Sequence, residues 1–292
     1  MKDLRLREIR VSLLFLLPLL LFVSTFILAP VIGTMIDSTY LDVAFLQNGF
    51  VGLDNYRWML DDPGFWESVR FTFLFVLISV PLEMTLGLMF ALLLNEPIRL
   101  QGWLRACVLI PWAIPAAVSA RAWELIYNYN YGLANFLWAG LGFTEPINWL
   151  GTELGAFSAV VIADAWKTTP FVAIILLAGI SAIPEDLYRQ AQVDGANLFQ
   201  RFTRITLPLI KPALIVALIF RTIDALRIFD IIYVLTHGGP GGATTSLSLY
   251  AYNYFLIGDF GYGSAVSVFL FMIAFFMSIA YVRIGKFGEE VL

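Results

Sequence analysis

Residues Val11 to Ile36 read VSLLFLLPLLLFVSTFILAPVIGTMI, 26 positions without one charged side chain. At about 1.5 Å per residue, a helix of this length crosses a hydrocarbon core of about 30 Å. A chain in lipid must satisfy its own backbone, and the stretch lacks the alternation of a barrel strand, so it reads as a membrane helix. Lys2, Arg5, Arg7 and Arg10 precede it and mimic a secretory signal. The apolar core of such a signal is only about 7–15 residues long, so the stretch is read as a retained first span.

The rest of the chain agrees. Of 292 residues, 60% are apolar and 14% are charged, against a usual charged share of about 25%. Mean hydropathy is +0.81. A water-soluble globule and a disordered chain are both excluded. Five further apolar blocks follow, at about 71–95, 106–127, 154–182, 212–235 and 260–282. The expected fold is an all-α polytopic membrane protein of six transmembrane helices, with residues 1–292 forming one transmembrane domain.

Lys and Arg set the orientation. The N-terminal tail, segments 96–105 and 183–211, and the C-terminal tail together hold twelve of them, including Lys286. The intervening segments hold Arg57 and, at a boundary, Arg70. The positive-inside rule places both termini in the cytoplasm of a cell-membrane protein. Net charge is −4, which gives no basic field for nucleic acid. Cys107 and His237 are the single cysteine and histidine. They make neither an internal disulfide nor an ordinary zinc site, so no metal is expected. The sequence lacks a Gly-x-x-x-x-Gly-Lys-Ser/Thr loop, so ATP and Mg belong on another chain and no cofactor is expected on this one.

Charges within the spans are expensive and point to pairing or function. Glu83 interrupts the second span. Arg121 and Glu124, Asp164 and Lys167, and the series Arg221, Asp224, Arg227 and Asp230 are each spaced by three. Pairing within a helix is therefore easy. On one continuous helix the last four would wind over half the surface, so some would meet other helices or a wet cavity. The outer segments are short and aromatic: Asp54 to Leu60 reads as an interfacial helix, and Tyr129, Tyr131, Trp138 and Trp149 as an interfacial belt.

Between spans four and five lies Ile183-Pro184-Glu185-Asp186-Leu187-Tyr188-Arg189-Gln190-Ala191-Gln192-Val193-Asp194-Gly195-Ala196, followed by Ile205-Thr206-Leu207-Pro208. Pro184 and the two acids suit a helix start. Gly195-Ala196 offers a small break that another surface can approach. A second short helix is expected from about Leu198 to Ile205, stopping before Pro208. On the residues alone this is an amphipathic hairpin or a docking element.

These residues resemble the coupling loop of the membrane subunits of binding-protein-dependent ABC importers. That loop runs Glu-Ala-Ala, three residues, Gly, nine residues, then Ile-x-Leu-Pro. Gly195 and Ile205-Thr206-Leu207-Pro208 match at that spacing, whereas Arg189-Gln190-Ala191 stands in place of the triplet and keeps only its last Ala. Gly52-Leu53-Asp54-Asn55-Tyr56, Leu109-Ile110-Pro111-Trp112-Ala113-Ile114-Pro115, Tyr131-Gly132-Leu133-Ala134-Asn135 and Leu235-Thr236-His237-Gly238-Gly239-Pro240 are similar to the sugar-importer branch. Within it the likeness is to the first-permease type of the maltose, trehalose and glycerol-phosphate group.

The resemblance implies the type I importer permease fold and a non-enzymatic subunit that forms half of the pathway for a di- or oligosaccharide of trehalose or maltose type. Its implied partners are a second permease, two ATPase subunits carrying ATP and Mg, an extracytoplasmic sugar-binding protein, and membrane lipid. Arg189, Ala191, Asp194, Gly195, Ala196, Leu207 and Pro208 would face the ATPase. Lys167, Thr168, Phe171, Arg221, Asp224, Ala225 and Ile228 would line the sugar site, with Phe171 or Trp166 supplying a ring face. Core packing is the competing role for Ala225 and Ile228. Two other functions compete. One is a stand-alone proton-coupled transporter that uses Glu83, Asp164, Asp224 or Asp230, against which stand the docking loop and the lack of a visible inverted repeat. The other is a membrane enzyme, for which no nucleophile–base pair is apparent.

Overall fold

The computed structural model describes residues 14–97 and 99–284. The N-terminal basic cluster, the first three residues of the leading span, and Lys286 lie outside these. Among the described residues, every regular element is a helix apart from one two-stranded hairpin. They pack as two units, residues 14–62 with 251–269, and residues 63–250 with 270–284.

In the first unit, α1 (Leu14–Asp37) is long and apolar enough to cross a membrane, and none of its described residues is buried. A hairpin of β1 (Tyr40–Leu41) and β2 (Gly49–Phe50) follows, paired antiparallel, and then α2 (Asp54–Asp61). The buried Asn55 ties these pieces together. Its amide donates to the carbonyls of Ser38 at 2.9 Å and Tyr40 at 2.8 Å. Asp62 accepts from the Tyr254 and Tyr262 hydroxyls, at 3.3 and 2.8 Å. The short helix expected near Asp54 is present, and the buried amide of Asn55 ties it to the hairpin.

The second unit is built on α3 (Pro63–Asn95) and α7 (Glu153–Ser181), both long and apolar enough to span. They meet closely because Gly87 has no side chain: a Cβ there would lie 2.5 Å from Val172 Cγ1. Gly179 does the same against Ala213, at 2.7 Å from its Cβ. Small residues are how membrane helices bring backbones into dispersion contact. Around these contacts Ala91, Leu94, Val172, Leu176, Ile180 and Ile210 form a buried apolar cluster.

Two of the six expected spans are not single helices. The third is α4 (Gln101–Ala113) and α5 (Ala116–Ile126), bent by 91°. Pro115 caps α5 at the bend, where its missing N–H removes one helical hydrogen bond. The fifth is α10 (Lys211–Leu226) and α11 (Asp230–Leu235), with Arg227, Ile228 and Phe229 in non-helical backbone. The last long helix, α13 (Phe260–Ile284), follows α12 (Leu247–Leu256).

The segment before α7 is a folded element. It contains α6 (Leu133–Gly140), and the Asn135 side chain serves as its hub. Asn135 Oδ1 accepts from Ile147 N at 3.0 Å and Trp149 Nε1 at 2.9 Å, while Nδ2 donates to the Tyr129 and Ile147 carbonyls at 3.0 Å. Trp149 is thus a bonded residue of a loop rather than only a ring in an interfacial belt.

Candidate functional site

The bend and the break open onto one cavity of about 450 Å³. Its walls are Trp112 and Ala116 at the α4–α5 bend, Asp164, Lys167 and Thr168 on α7, Asp224 on α10, and Arg227 to Ile231 across the break into α11. The expectation that Arg221, Asp224, Arg227 and Asp230 wind over half a helix surface is corrected here. The helix ends at Leu226, and the broken backbone returns Arg227 and Asp230 to the wall that holds Asp224. Irregular backbone of this kind is stable at membrane depth only where it is buried in protein or lines a cavity.

Of the residues expected to line a substrate site, Lys167, Thr168, Asp224 and Ile228 line this cavity. Phe171 stacks on Trp112, with ring centroids 5.7 Å apart. Trp112 is therefore the ring at the wall, and Phe171 backs it. Trp166 packs edge-on against Trp123 instead, at 5.9 Å. Ala225 and Arg221 are buried and are not part of the lining. Trp112 was legible in the quoted Pro-Trp-Ala-Ile-Pro motif, but nothing in the spacing shows that the motif bends inward.

Arg221 on α10 is 2% exposed and pairs with carboxylates from two other helices. Its Nε and Nη2 both reach Glu83 of α3, Nη2 to Oε1 at 2.9 Å, and Nη2 also reaches Asp164 of α7. Its Nη1 lies 3.4 Å from Asp224 Oδ2. The guanidinium fork suits such convergence, because it offers five donors in one plane. Asp224 is half-exposed and also meets Arg227 at 3.5 Å.

Lys167 does not pair with Asp164, as the spacing of three suggested. Its ammonium donates to the Ile114 carbonyl at 2.8 Å and the Trp112 carbonyl at 3.4 Å. Those carbonyls end α4 without helical partners, and a cation is the favoured group there. Arg121 and Glu124 do pair with one another, at 2.5 Å.

The loop between α7 and α10 holds α8 (Glu185–Val193), then α9, which starts at Leu198–Arg201 and leads through a π-turn into Leu207–Leu209. The second helix therefore runs through Pro208 instead of stopping before it. Pro208 occupies the first turn after the π segment, where its missing N–H costs least. Gly195 closes α8 with φ of +80°. Ala196 N bonds the Ala191 carbonyl at 2.9 Å and Gly195 N the Gln192 carbonyl at 3.1 Å. This is a Schellman closure, which favours glycine at the left-handed position. Asn197 then caps the next helix in a reciprocal box with Gln200. The tight turn leaves Asp194, Leu207 and Pro208 on the surface together with the apolar side chains of Val193, Leu198 and Phe199. Arg189 is spent on Glu185 at 2.6 Å, both side chains being largely exposed.

The family described as "Binding-protein-dependent transport system inner membrane component" matches residues 83–286. The chain is 56% identical over 288 residues to the trehalose/maltose transport system permease protein MalF of Thermococcus litoralis, covering 98% of this chain and 97% of that one. It is 41% identical over 277 residues to the sulfoquinovosyl glycerol transport system permease protein SmoG of Agrobacterium fabrum, covering 94% and 89%. The fold superposes with a TM-score of 0.82 on a chain of a bacterial ABC transporter involved in the import of the acidic polysaccharide alginate. That match has 25% identity over 98% of this chain and 97% of the other.

Proposed function

The chain belongs to the family of inner membrane components of binding-protein-dependent transport systems, and from that premise we propose that it carries a di- or oligosaccharide of trehalose or maltose type. It is a transport permease of the ABC importer fold and not itself an enzyme. The finer reading has six spans with both termini in the cytoplasm, the third and fifth spans being the bent and broken pairs. A second permease completes the pathway, two ATPase subunits supply ATP and Mg, and a sugar-binding protein delivers the substrate from outside.

The observation that carries the substrate class is the composition of the cavity wall. Asp164 and Asp224 offer carboxylate oxygens, Thr168 a hydroxyl and Trp112 an exposed ring face. Neutral sugars present hydroxyl donors around apolar C–H patches, and this set of groups matches both. In this reading Lys167 and Phe171 hold Trp112 in place, Ile228 shapes the wall, and Ala225 is a packing residue. Val193, Leu198 and Phe199, flanking the Asp194-Gly195-Ala196 turn, form the surface that meets the ATPase.

The test is reconstitution with the partner permease, ATPase and binding protein in liposomes. ATP-dependent uptake of labelled trehalose or maltose is expected, and it should vanish when the binding protein is left out. Uptake by this chain alone under a proton gradient, without ATP, would overturn the reading in favour of the proton-coupled transporter.

A further inference from the structure

Glu83 is not part of the cavity lining and is fully buried, yet it is the only charged residue between Phe71 and Asn95 of α3. A buried charge in a membrane helix needs a partner, and Glu83 has one: it takes the Nε–Nη2 edge of the Arg221 fork with both carboxylate oxygens. Asp164 and Asp224 share what remains. Both of these line the cavity, whereas Glu83 and Arg221 do not.

We infer that Glu83 is a positioning residue: it holds Arg221 back among the packed helices, so that Asp164 and Asp224 keep carboxylate oxygens on the cavity side, where Asp224 Oδ1 also faces the exposed Arg227 at 3.5 Å. The reasoning is one of charge. A guanidinium stays protonated and prefers a two-point carboxylate partner. If Glu83 loses its charge, Arg221 must find that partner elsewhere, and the carboxylates already at its fork are Asp164 and Asp224. Asp224 is the adaptable one, because it is half-exposed and only 3.4 Å away. Lys167 cannot take its place at Arg221's cost, since its ammonium is bound to backbone carbonyls. Arg221 would close on Asp224, and the cavity would lose an acceptor without any change in its shape. The consequence for substrate rests on the sugar reading above; the hold of Glu83 on Arg221 does not.

The experiment uses Glu83→Gln in the assembled transporter. Asp224 is modified with a water-soluble carbodiimide and glycine ethyl ester and followed by peptide mass spectrometry. A bidentate Arg221 partner should slow this modification about threefold or more. In liposomes, KM for trehalose or maltose should rise about tenfold, the loss of one charged hydrogen-bond acceptor, with the maximal rate nearly kept. Glu83→Gln combined with Arg221→Met should return the Asp224 modification rate to that of the parent. If Glu83→Gln does not assemble, Glu83→Asp draws the carboxylate back by one methylene, and slower Asp224 modification is again expected. Unchanged or faster modification in the assembled variants, with only a lower melting temperature, overturns the inference and leaves Glu83 a packing residue. If the parent transports neither sugar, the sugar reading fails, and the modification rates still decide the role of Glu83.

Discussion

The Lys167 ammonium donates to the Ile114 carbonyl at 2.8 Å, joining α7 to the point where α4 turns by 91° into α5. The bend frees carbonyls that no helical N–H satisfies, and Pro115, which has no N–H to give, stands at the turn. Lys167 therefore belongs to the structure of the bend as well as to the cavity wall. Lys167→Met should lower stability by about 1.5–3 kcal/mol, the usual worth of a hydrogen bond to a charged group. Lys167→Arg should recover most of it. Thermal melting of the detergent-solubilised protein checks the stability. The single native thiol, Cys107 on α4, gives a second readout, since maleimide should label it faster in Lys167→Met if α4 loosens.

The α3–α7 contact gives a second prediction. A methyl group at position 87 would sit 2.5 Å from Val172 Cγ1 and 2.8 Å from its Cβ, which α7 cannot accommodate without shifting. Gly87→Ala should destabilise by about 1–3 kcal/mol through overpacking. Val172→Ala in the same chain should restore part of the loss, because it removes Cγ1, the nearer of the two clashing atoms, and leaves Cβ in place. Melting temperatures of the two single variants and the double variant decide it, and additivity within error would show that the residues are not in contact.

How much of this was legible in the sequence differs by element. The long helices follow from uninterrupted apolar blocks, and α3, α7 and α13 begin or end within a few residues of them, except that α3 starts at Pro63, eight positions early. Polar residues in its first two turns hid that start. The bend at Pro115 had a proline to mark it, but hydropathy is blind to direction. The break after Leu226 had no Gly or Pro at all, and what marked it was charge: Arg227 and Asp230 remain wet only because the helix opens there. Spacing of three made Asp164–Lys167 a natural pair, yet tertiary partners won for both residues. Glu83 was legible as an anomaly within an apolar span. Its partner was not, since 138 residues separate it from Arg221.

Gly195 tests the loop. A Cβ at this position meets nothing within 4 Å, so a larger side chain clashes with no part of this chain. The cost within the chain comes from its φ of +80°, about 1 kcal/mol for a residue with a Cβ. Gly195→Ala should therefore insert and fold normally. Gly195→Trp should also insert, but it should lose co-purification of the ATPase, because its bulk projects into the surface between Val193 and Leu198. Retention of the ATPase at parental yield by Gly195→Trp would remove this turn from the docking surface.

Arg189, at the place of the Glu in the resembled loop pattern, should tolerate reversal. Its pair with Glu185 is exposed on both sides, and such a helix pair contributes about 0.3–0.5 kcal/mol. Arg189→Glu replaces that attraction with a repulsion of similar size from Glu185 and Asp186. The melting temperature should fall by a degree or two at most. Sugar-stimulated ATP hydrolysis should survive, and near-total loss of it would mean that the partner surface is matched to a positive charge at this position.

The last prediction separates Arg221 from Asp224, two residues that spacing alone treats as one pair. Arg221 is 2% exposed and carries the charges of Glu83 and Asp164, whereas Asp224 is 52% exposed and sits 3.4 Å away from it. Arg221→Ala leaves two carboxylates without their counter-ion in a packed membrane unit. Breaking a buried pair in this way costs about 3–5 kcal/mol, so the variant should express poorly or melt early. Asp224→Ala removes only a peripheral acceptor, so the fold should remain nearly intact while sugar uptake falls. The double variant should be no more stable than Arg221→Ala, because Glu83 stays unpaired in both. Melting temperature and sugar-stimulated ATP hydrolysis, measured on all three, distinguish the cases. A sharp loss of stability in each single variant that recovers in the double would make Arg221 and Asp224 a self-contained structural pair, and Asp224 would then leave the substrate wall. Normal stability in all three would remove Arg221 from the buried network and return it to the cavity.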